Sequence, residues 1–171
     1  LSPFGKEVIK EMNRVGVMID VSHISDSTFY QVMELSDAPV IASHSSCRHF
    51  TQGFERNMSD DMIKLLGEKG GVIQINFGST FLDQKSRDIR EHIRPYQEAF
   101  HENPKDTASR DYVERYLGEN SLFTNVQKVA DHIDHVVKLA GIDHVGFGSD
   151  YDGVGDSLPV GLKDVSDFPN L

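Results

Sequence analysis

Apolar positions along the chain recur with two different periods, and the changes of period divide it into helices and strands. Val8, Ile9, Met12 and Val15 repeat at helical spacing behind Ser2 as an N-cap and Pro3 at the first helical position, and Gly16 ends the segment. A short apolar run over residues 17–21 reads as a strand that ends at Ser22-His23. Ser25-Asp26 then caps a second helix with Phe29, Val32, Met33 and Leu35 on its inner face. Residues 39–42 form the next predicted strand, ending at Ser43-His44. Beyond a polar loop, Ser59 caps a third helix carrying Met62, Ile63, Leu65 and Leu66, which stops at Gly70-Gly71. A third strand is predicted over 72–77. The rhythm breaks over 79–125, which is polar, charged and aromatic with helical patches at 89–100 and 112–117. That length between core elements predicts an insertion or lid. Helical spacing resumes over Val126–Ala140, and a fourth strand over 144–148 ends at Ser149-Asp150.

Four strands that are apolar on both faces and alternate with helices predict a parallel sheet covered by helices. Periodicity leaves a closed barrel and an open doubly wound sheet both standing. Either way, His23, His44, Asn76 and Asp150 fall at or just past the C-terminal ends of strands. In a parallel α/β protein those ends share one face, and that face carries the active site. Neighbouring strands lie about 4.8 Å apart, so imidazoles from the His23 and His44 strands can reach one cation at about 2.0–2.1 Å each. A strand-capping role would explain either histidine singly; two at equivalent ends of successive strands favour the shared cation, and imidazole with carboxylate suits a borderline ion such as zinc.

Asp150 sits in Gly148-Ser149-Asp150-Tyr151-Asp152-Gly153, where it can accept and pass on a proton; Asp152 fits a plain turn better. Arg56, in the loop after the His44 strand, can clamp a carboxylate through two hydrogen bonds or simply lie at the surface. Asp131-His132-Ile133-Asp134-His135 looks like a metal tract but lies within a helix pattern, and a solvated helix face is the expectation there. His49, His92 and His101 have no partner at ligand spacing, and His144 starts a strand, at the wrong end for the site.

Composition narrows the classes. The 171 residues are 38% hydrophobic and 26% charged, the balance of a globular domain. No apolar run is long enough to span a bilayer. With a net charge of −10 and scattered Lys and Arg, a nucleic-acid partner is not expected. The single cysteine, Cys47, excludes a disulfide framework and a cysteine-rich zinc module. The chain opens at Leu1 without an initiator Met and reads as a piece of a longer one, so the compartment stays open between cytoplasmic and exported.

The stretches 16–23 (GVMIDVSH), 38–46 (APVIASHSS), 56–61 (RNMSDD), 71–77 (GVIQINF), 131–141 (DHIDHVVKLAG), 145–153 (VGFGSDYDG) and 161–171 (GLKDVSDFPNL) together resemble the membrane dipeptidase (renal dipeptidase) family, peptidase family M19. The resemblance covers nearly everything outside 79–125. It implies a (β/α)8 TIM barrel of the metal-dependent amidohydrolase type, and a metallopeptidase that hydrolyses dipeptides with two zinc ions. By this resemblance His23 and His44 match the two histidines that hold the second zinc. Asp150 matches the aspartate near the bridging water and the substrate's amino group, and Arg56 the arginine that binds the substrate's C-terminal carboxylate.

The family's first zinc is held by a His-x-Asp pair at the end of the first strand. Its bridging Glu and a substrate-binding His also lie upstream, and none of these matches a residue here. The chain therefore corresponds to about the second half of the barrel, strands five to eight, with an insertion at about 79–125, and on its own it is expected to be inactive. A half barrel also leaves sheet edges unpaired, so the chain alone is expected to associate or to be only marginally stable, and a homodimer of the complete protein is compatible with the sequence. Another metal-dependent amidohydrolase, or a catalytically silent barrel used for binding, are the alternative readings.

Overall fold

The computed structural model describes residues 1–105 and 107–171; position 106, inside the expected insertion, lies outside the described residues. The elements are α1 (Pro3–Val15), α2 (Asp26–Leu35), β1 (Ile41–Ser45), α3 (Asp60–Glu68), β2 (Val72–Ile75), α4 (Ser79–Leu82), α5 (Gln84–Glu102), α6 (Thr107–Glu119), α7 (Val126–Ala140) and β3 (Val145–Phe147). The serine caps form as the sequence predicts. Ser2 Oγ accepts from the Gly5 N–H at 3.1 Å, Ser25 Oγ from Thr28 at 3.3 Å and Ser59 Oγ from Met62 at 3.3 Å.

The three strands pair in the order β1-β2-β3, all parallel. Helices α2, α3 and α7 cover them, and Phe29, Ile63, Leu66, Ile73, Ile75, Val129 and Val136 are buried in the layer between. The architecture is the α/β one expected from alternating strands and helices.

The stretch predicted as a strand over 17–21 is reduced to a single parallel bridge between Asp20 and Ile41, made by Val21 N–H to Ile41 O at 2.8 Å and Ile41 N–H to Ile19 O at 3.0 Å. In that register Met18 would face Pro39, which has no N–H to give, and Val17 and Met18 are exposed. The same proline delays β1, which begins at Ile41 rather than 39 and runs on through His44 to Ser45. Residues 79–125 are more helical than their composition suggests, folding into α4 and the α5–α6 pair, with Ile89 and Ile93 buried.

One irregularity aims the site. Ala42 pairs with Ile73 and Ser45 with Ile75, so three steps along β1 match two along β2. The extra residue falls in the Ser43-His44 segment. A bulge of this kind re-aims side chains and is common beside active sites. Beside it passes Gly148, where an added Cβ would stand 2.2 Å from the Ser43 carbonyl oxygen and 2.8 Å from the Gln74 Cβ. Only glycine lets the chain after β3 come this close to the bulge.

Candidate metal and active site

His23 follows the Asp20 bridge, and His44 stands in the β1 bulge. Their Nε2 atoms face each other at 2.8 Å, with ring centroids 4.9 Å apart and planes inclined by 55°. Two nitrogens bound to one tetrahedral zinc at about 2.0–2.1 Å are roughly 3.4 Å apart. A parting of about half an ångström turns the pair into two arms of a cation seat, and the donor set therefore fits zinc.

The hydrogen bonds behind His44 fix its tautomer. The Ser43 hydroxyl gives its one hydrogen to Asp20 Oδ2, so Ser43 Oγ accepts from His44 Nδ1–H at 2.7 Å. That leaves the His44 Nε2 lone pair facing His23, the form a metal ligand requires. Asp20 Oδ1 also accepts from the N–H groups of Ser22 at 2.9 Å and Ser43 at 3.1 Å. Burial alone would push the Asp20 carboxyl up, but these bonds from Ser43 and Ser22 hold it below its ordinary range, and it is ionised. His23 is held below the usual histidine value, first by burial and then by the neighbouring Arg56 and His44, although Asp150 and Asp20 pull the other way.

Beneath the two imidazoles lies a layer of serines. Ser22 and Ser45 hydroxyls are 3.2 Å apart, and Ser22 Oγ accepts from the His44 N–H at 3.1 Å. Arg56 reaches this layer from its loop, donating from Nη1 to Ser45 Oγ and from Nη2 to His44 O, each at 2.8 Å. Its Nε is buried without a partner. Burial draws its pKa down, offset in part by Asp150 and Asp20. Buried hydrogen bonds tie down the loop holding it. Asn57, fully buried, accepts from Ser46 N–H and donates to Thr51 Oγ1 and Phe81 O. Arg48 pairs both its terminal nitrogens with Asp26 at 2.7 Å.

Asp150 is anchored from the next strand. Fully buried Asn76 donates from Nδ2 to Asp150 Oδ2 at 2.8 Å, while its Oδ1 accepts from the Gly78 N–H at 2.7 Å. At Gly153 an added Cβ would stand 2.2 Å from Asp150 Oδ1. Among the described residues, His23 (φ 68°) and Asp150 (φ 55°) are the two non-glycine residues in the left-handed region. Such backbone strain clusters at functional sites.

His23 and Asp150 line one open cavity with Thr80, Phe81, Arg90 and Val154. The structure thus gathers His23, His44, Arg56 and Asp150 into one electrostatic neighbourhood at the C-terminal ends of the strands. Asp20 and Ser43 were not singled out from sequence, although an acid inside the apolar run 17–21 was a signal. Arg90, from α5, carried none.

The expectation of a solvated face over residues 131–135 is corrected. His132 is fully buried: it accepts at Nδ1 from the Cys47 N–H at 3.0 Å, and its Nε2 meets Leu82 O at 3.0 Å. His135 Nε2 meets Asp60 Oδ1 at 2.8 Å, and its ring stacks on His49 at 4.4 Å. The helix packs against α3 and the turn at 48–50, so its histidines face protein rather than water.

The sequence pattern of the family described as Membrane dipeptidase (Peptidase family M19) matches residues 1–171. An uncharacterized dipeptidase of Schizosaccharomyces pombe is 39% identical over 171 residues, covering 100% of this chain and 32% of that protein. Dipeptidase 3 of Mus musculus is 36% identical over 171 residues, covering 100% of this chain and 27% of that protein. The crystal structure of a metallo peptidase from Rhodobacter sphaeroides, liganded with a phosphinate mimic of the dipeptide L-Ala-D-Ala, superposes with a TM-score of 0.74 at 30% identity over 100% of this chain and 39% of that one. The chain spans about a third of the length of the curated relatives it matches, and its α/β fold matches part of amidohydrolase-type barrels.

Proposed function

Because the chain belongs to the membrane dipeptidase family, peptidase family M19, we propose that the protein carrying it is a zinc-dependent dipeptidase and that His23 and His44 hold one of its two metal ions. The observation that carries this reading is the meeting of the two Nε2 atoms at 2.8 Å, with the His44 tautomer set from behind by Ser43 and Asp20.

Zinc bound there supplies Lewis acidity and a water of lowered pKa. The chain's own residues supply part of the remaining chemistry. Asp150, held by Asn76 at 2.8 Å, accepts the proton of the attacking water and returns it to the leaving amine. Arg56 spends one N–H of each terminal nitrogen on Ser45 Oγ and His44 O, and its remaining N–H groups bind the substrate's C-terminal carboxylate. A carboxylate bound at Arg56 and an amino group held near Asp150 together limit substrate length, which favours dipeptides. The α4–α5 segment lines the same cavity through Thr80, Phe81 and Arg90.

A panel of L,L- and L,D-dipeptides, N-acyl amino acids and longer peptides, assayed with the full-length protein, tests the reading. Dipeptide hydrolysis that falls at least about a hundredfold in His23→Ala and in His44→Ala is expected, since removing a ligand costs more than the 10–100-fold of an outer partner. Activity unchanged in both variants contradicts it, and turnover of N-acyl amino acids alone moves the substrate class to another amide.

A further inference from the structure

A second group of metal-ligating side chains stands apart from the His23–His44 pair. His49 lies in the turn at 48–50, Asp60 in the first turn of α3 and His135 in α7. Their ligand atoms, one from each residue, all lie within 4.8 Å of one another. His135 Nε2 and Asp60 Oδ1 are 2.8 Å apart, and the His49 ring stacks on His135 with centroids 4.4 Å apart and planes inclined by 22°.

From this cluster we infer a peripheral binding site for a divalent transition-metal ion of the zinc class, formed by His49, Asp60 and His135.

A plain histidine–carboxylate pair accounts for His135 and Asp60. It does not account for His49, whose ring nitrogens have no hydrogen-bond partner among the described residues although the ring is held beside His135. Phe50 meets both rings, at 4.9 Å from His49 and 5.5 Å from His135, and walls one side of the cluster. Two imidazole nitrogens and one carboxylate oxygen are the donors that borderline divalent ions prefer, and they leave a position for water. Donors around a tetrahedral zinc are roughly 3.4 Å apart, so His49 must swing inward from its stack. It is exposed, and nothing hydrogen-bonded holds its ring back. The bond between His135 and Asp60 opens by about half an ångström in the same movement.

The placement gives the ion a role. His49 follows His44 by five residues on the same segment, and that segment continues into the loop bearing Arg56. An ion joining the turn at 48–50 to α3 and α7 braces this loop from outside the reaction site. The cluster contains no residue of the proposed catalytic set, so the inference stands or falls independently of the dipeptidase reading.

The test is zinc content of the full-length protein after equilibrium dialysis against buffered zinc, measured by elemental analysis. His49→Ala and His135→Ala are compared with the unaltered protein, each also in a His23→Ala/His44→Ala background. His49 is exposed, so its replacement leaves the core intact. Loss of one zinc equivalent per chain in His49→Ala and in His135→Ala, in both backgrounds, is the expected result. Asp60→Asn is expected to lower the affinity of this site at least tenfold. In parallel, loading with Co²⁺ should give visible ligand-field bands that weaken in His49→Ala. Zinc content and Co²⁺ bands that are the same with and without His49 overturn the site.

Discussion

Asn76 donates to Asp150 Oδ2 at 2.8 Å across 74 residues of sequence, and its other amide atom is occupied by the Gly78 N–H at 2.7 Å. A buried amide held at both ends cannot turn, so it fixes the carboxylate in one orientation. Asn76→Ala is expected to lower kcat for dipeptides by about 10–100-fold, the effect typical of an outer partner, with KM changed less. Steady-state kinetics on the full-length protein would show this. A loss confined to KM would place Asn76 in substrate binding instead.

Ser43 stands between Asp20 and His44 Nδ1. Ser43→Ala removes the acceptor that selects the His44 tautomer. Zinc affinity is expected to fall by about 10–100-fold, and competition with a chelator measures it. Ser43→Thr keeps the hydroxyl and is expected to recover much of the loss.

Gly153 has no room for a side chain, since an added Cβ would stand 2.2 Å from Asp150 Oδ1 and 2.8 Å from its Cγ. Gly153→Ala is expected to push the carboxylate off Asn76 and abolish most activity while circular dichroism stays native. Full activity in this variant would show that Asp150 is free to move without consequence.

His132 gives the chain's stability one pH dependence. Burial lowers its pKa to about 4 from an ordinary 6.5. Its neutral form is fully used, with Nδ1 accepting from Cys47 N–H and Nε2–H donating to Leu82 O. Between pH 6.5 and 4 the unfolded chain binds a proton at this histidine that the folded chain does not, so this histidine's contribution to stability is fully present above 6.5 and declines as pH falls toward 4. The full effect is about 3 kcal/mol at 1.36 kcal/mol per pKa unit. Urea unfolding of the protein across this range is expected to show the decline, and His132→Gln is expected to flatten it. His132→Ala, which strands a buried N–H and a buried carbonyl, should destabilise by roughly 2–4 kcal/mol at pH 7.

Much of this was legible in the sequence, and the limits have physical causes. Ser2, Ser25 and Ser59 announce helices because a hydroxyl at the cap satisfies a free N–H locally, within three residues. The placement of His23, His44 and Asp150 follows from strands that end on one face. The β1 bulge leaves no mark in the alternation of Pro39–Ser45, because it exists only relative to β2. The burial of His132 does not show on a helical wheel, which contains α7 alone. The wall that buries it comes from Cys47, Phe50 and Leu82, which lie 85, 82 and 50 residues away in sequence. The His49–Asp60–His135 group is hidden for the same reason: its members come from three elements with no common spacing.

The central claim is that His23 and His44 close on one cation. Crystals of the full-length protein grown with zinc, measured on both sides of the zinc absorption edge, test it most directly. An anomalous peak about 2.0–2.1 Å from both Nε2 atoms, with His44 Nδ1 still bonded to Ser43, is the predicted result. A zinc-loaded, active crystal with no peak between the two rings would contradict the account.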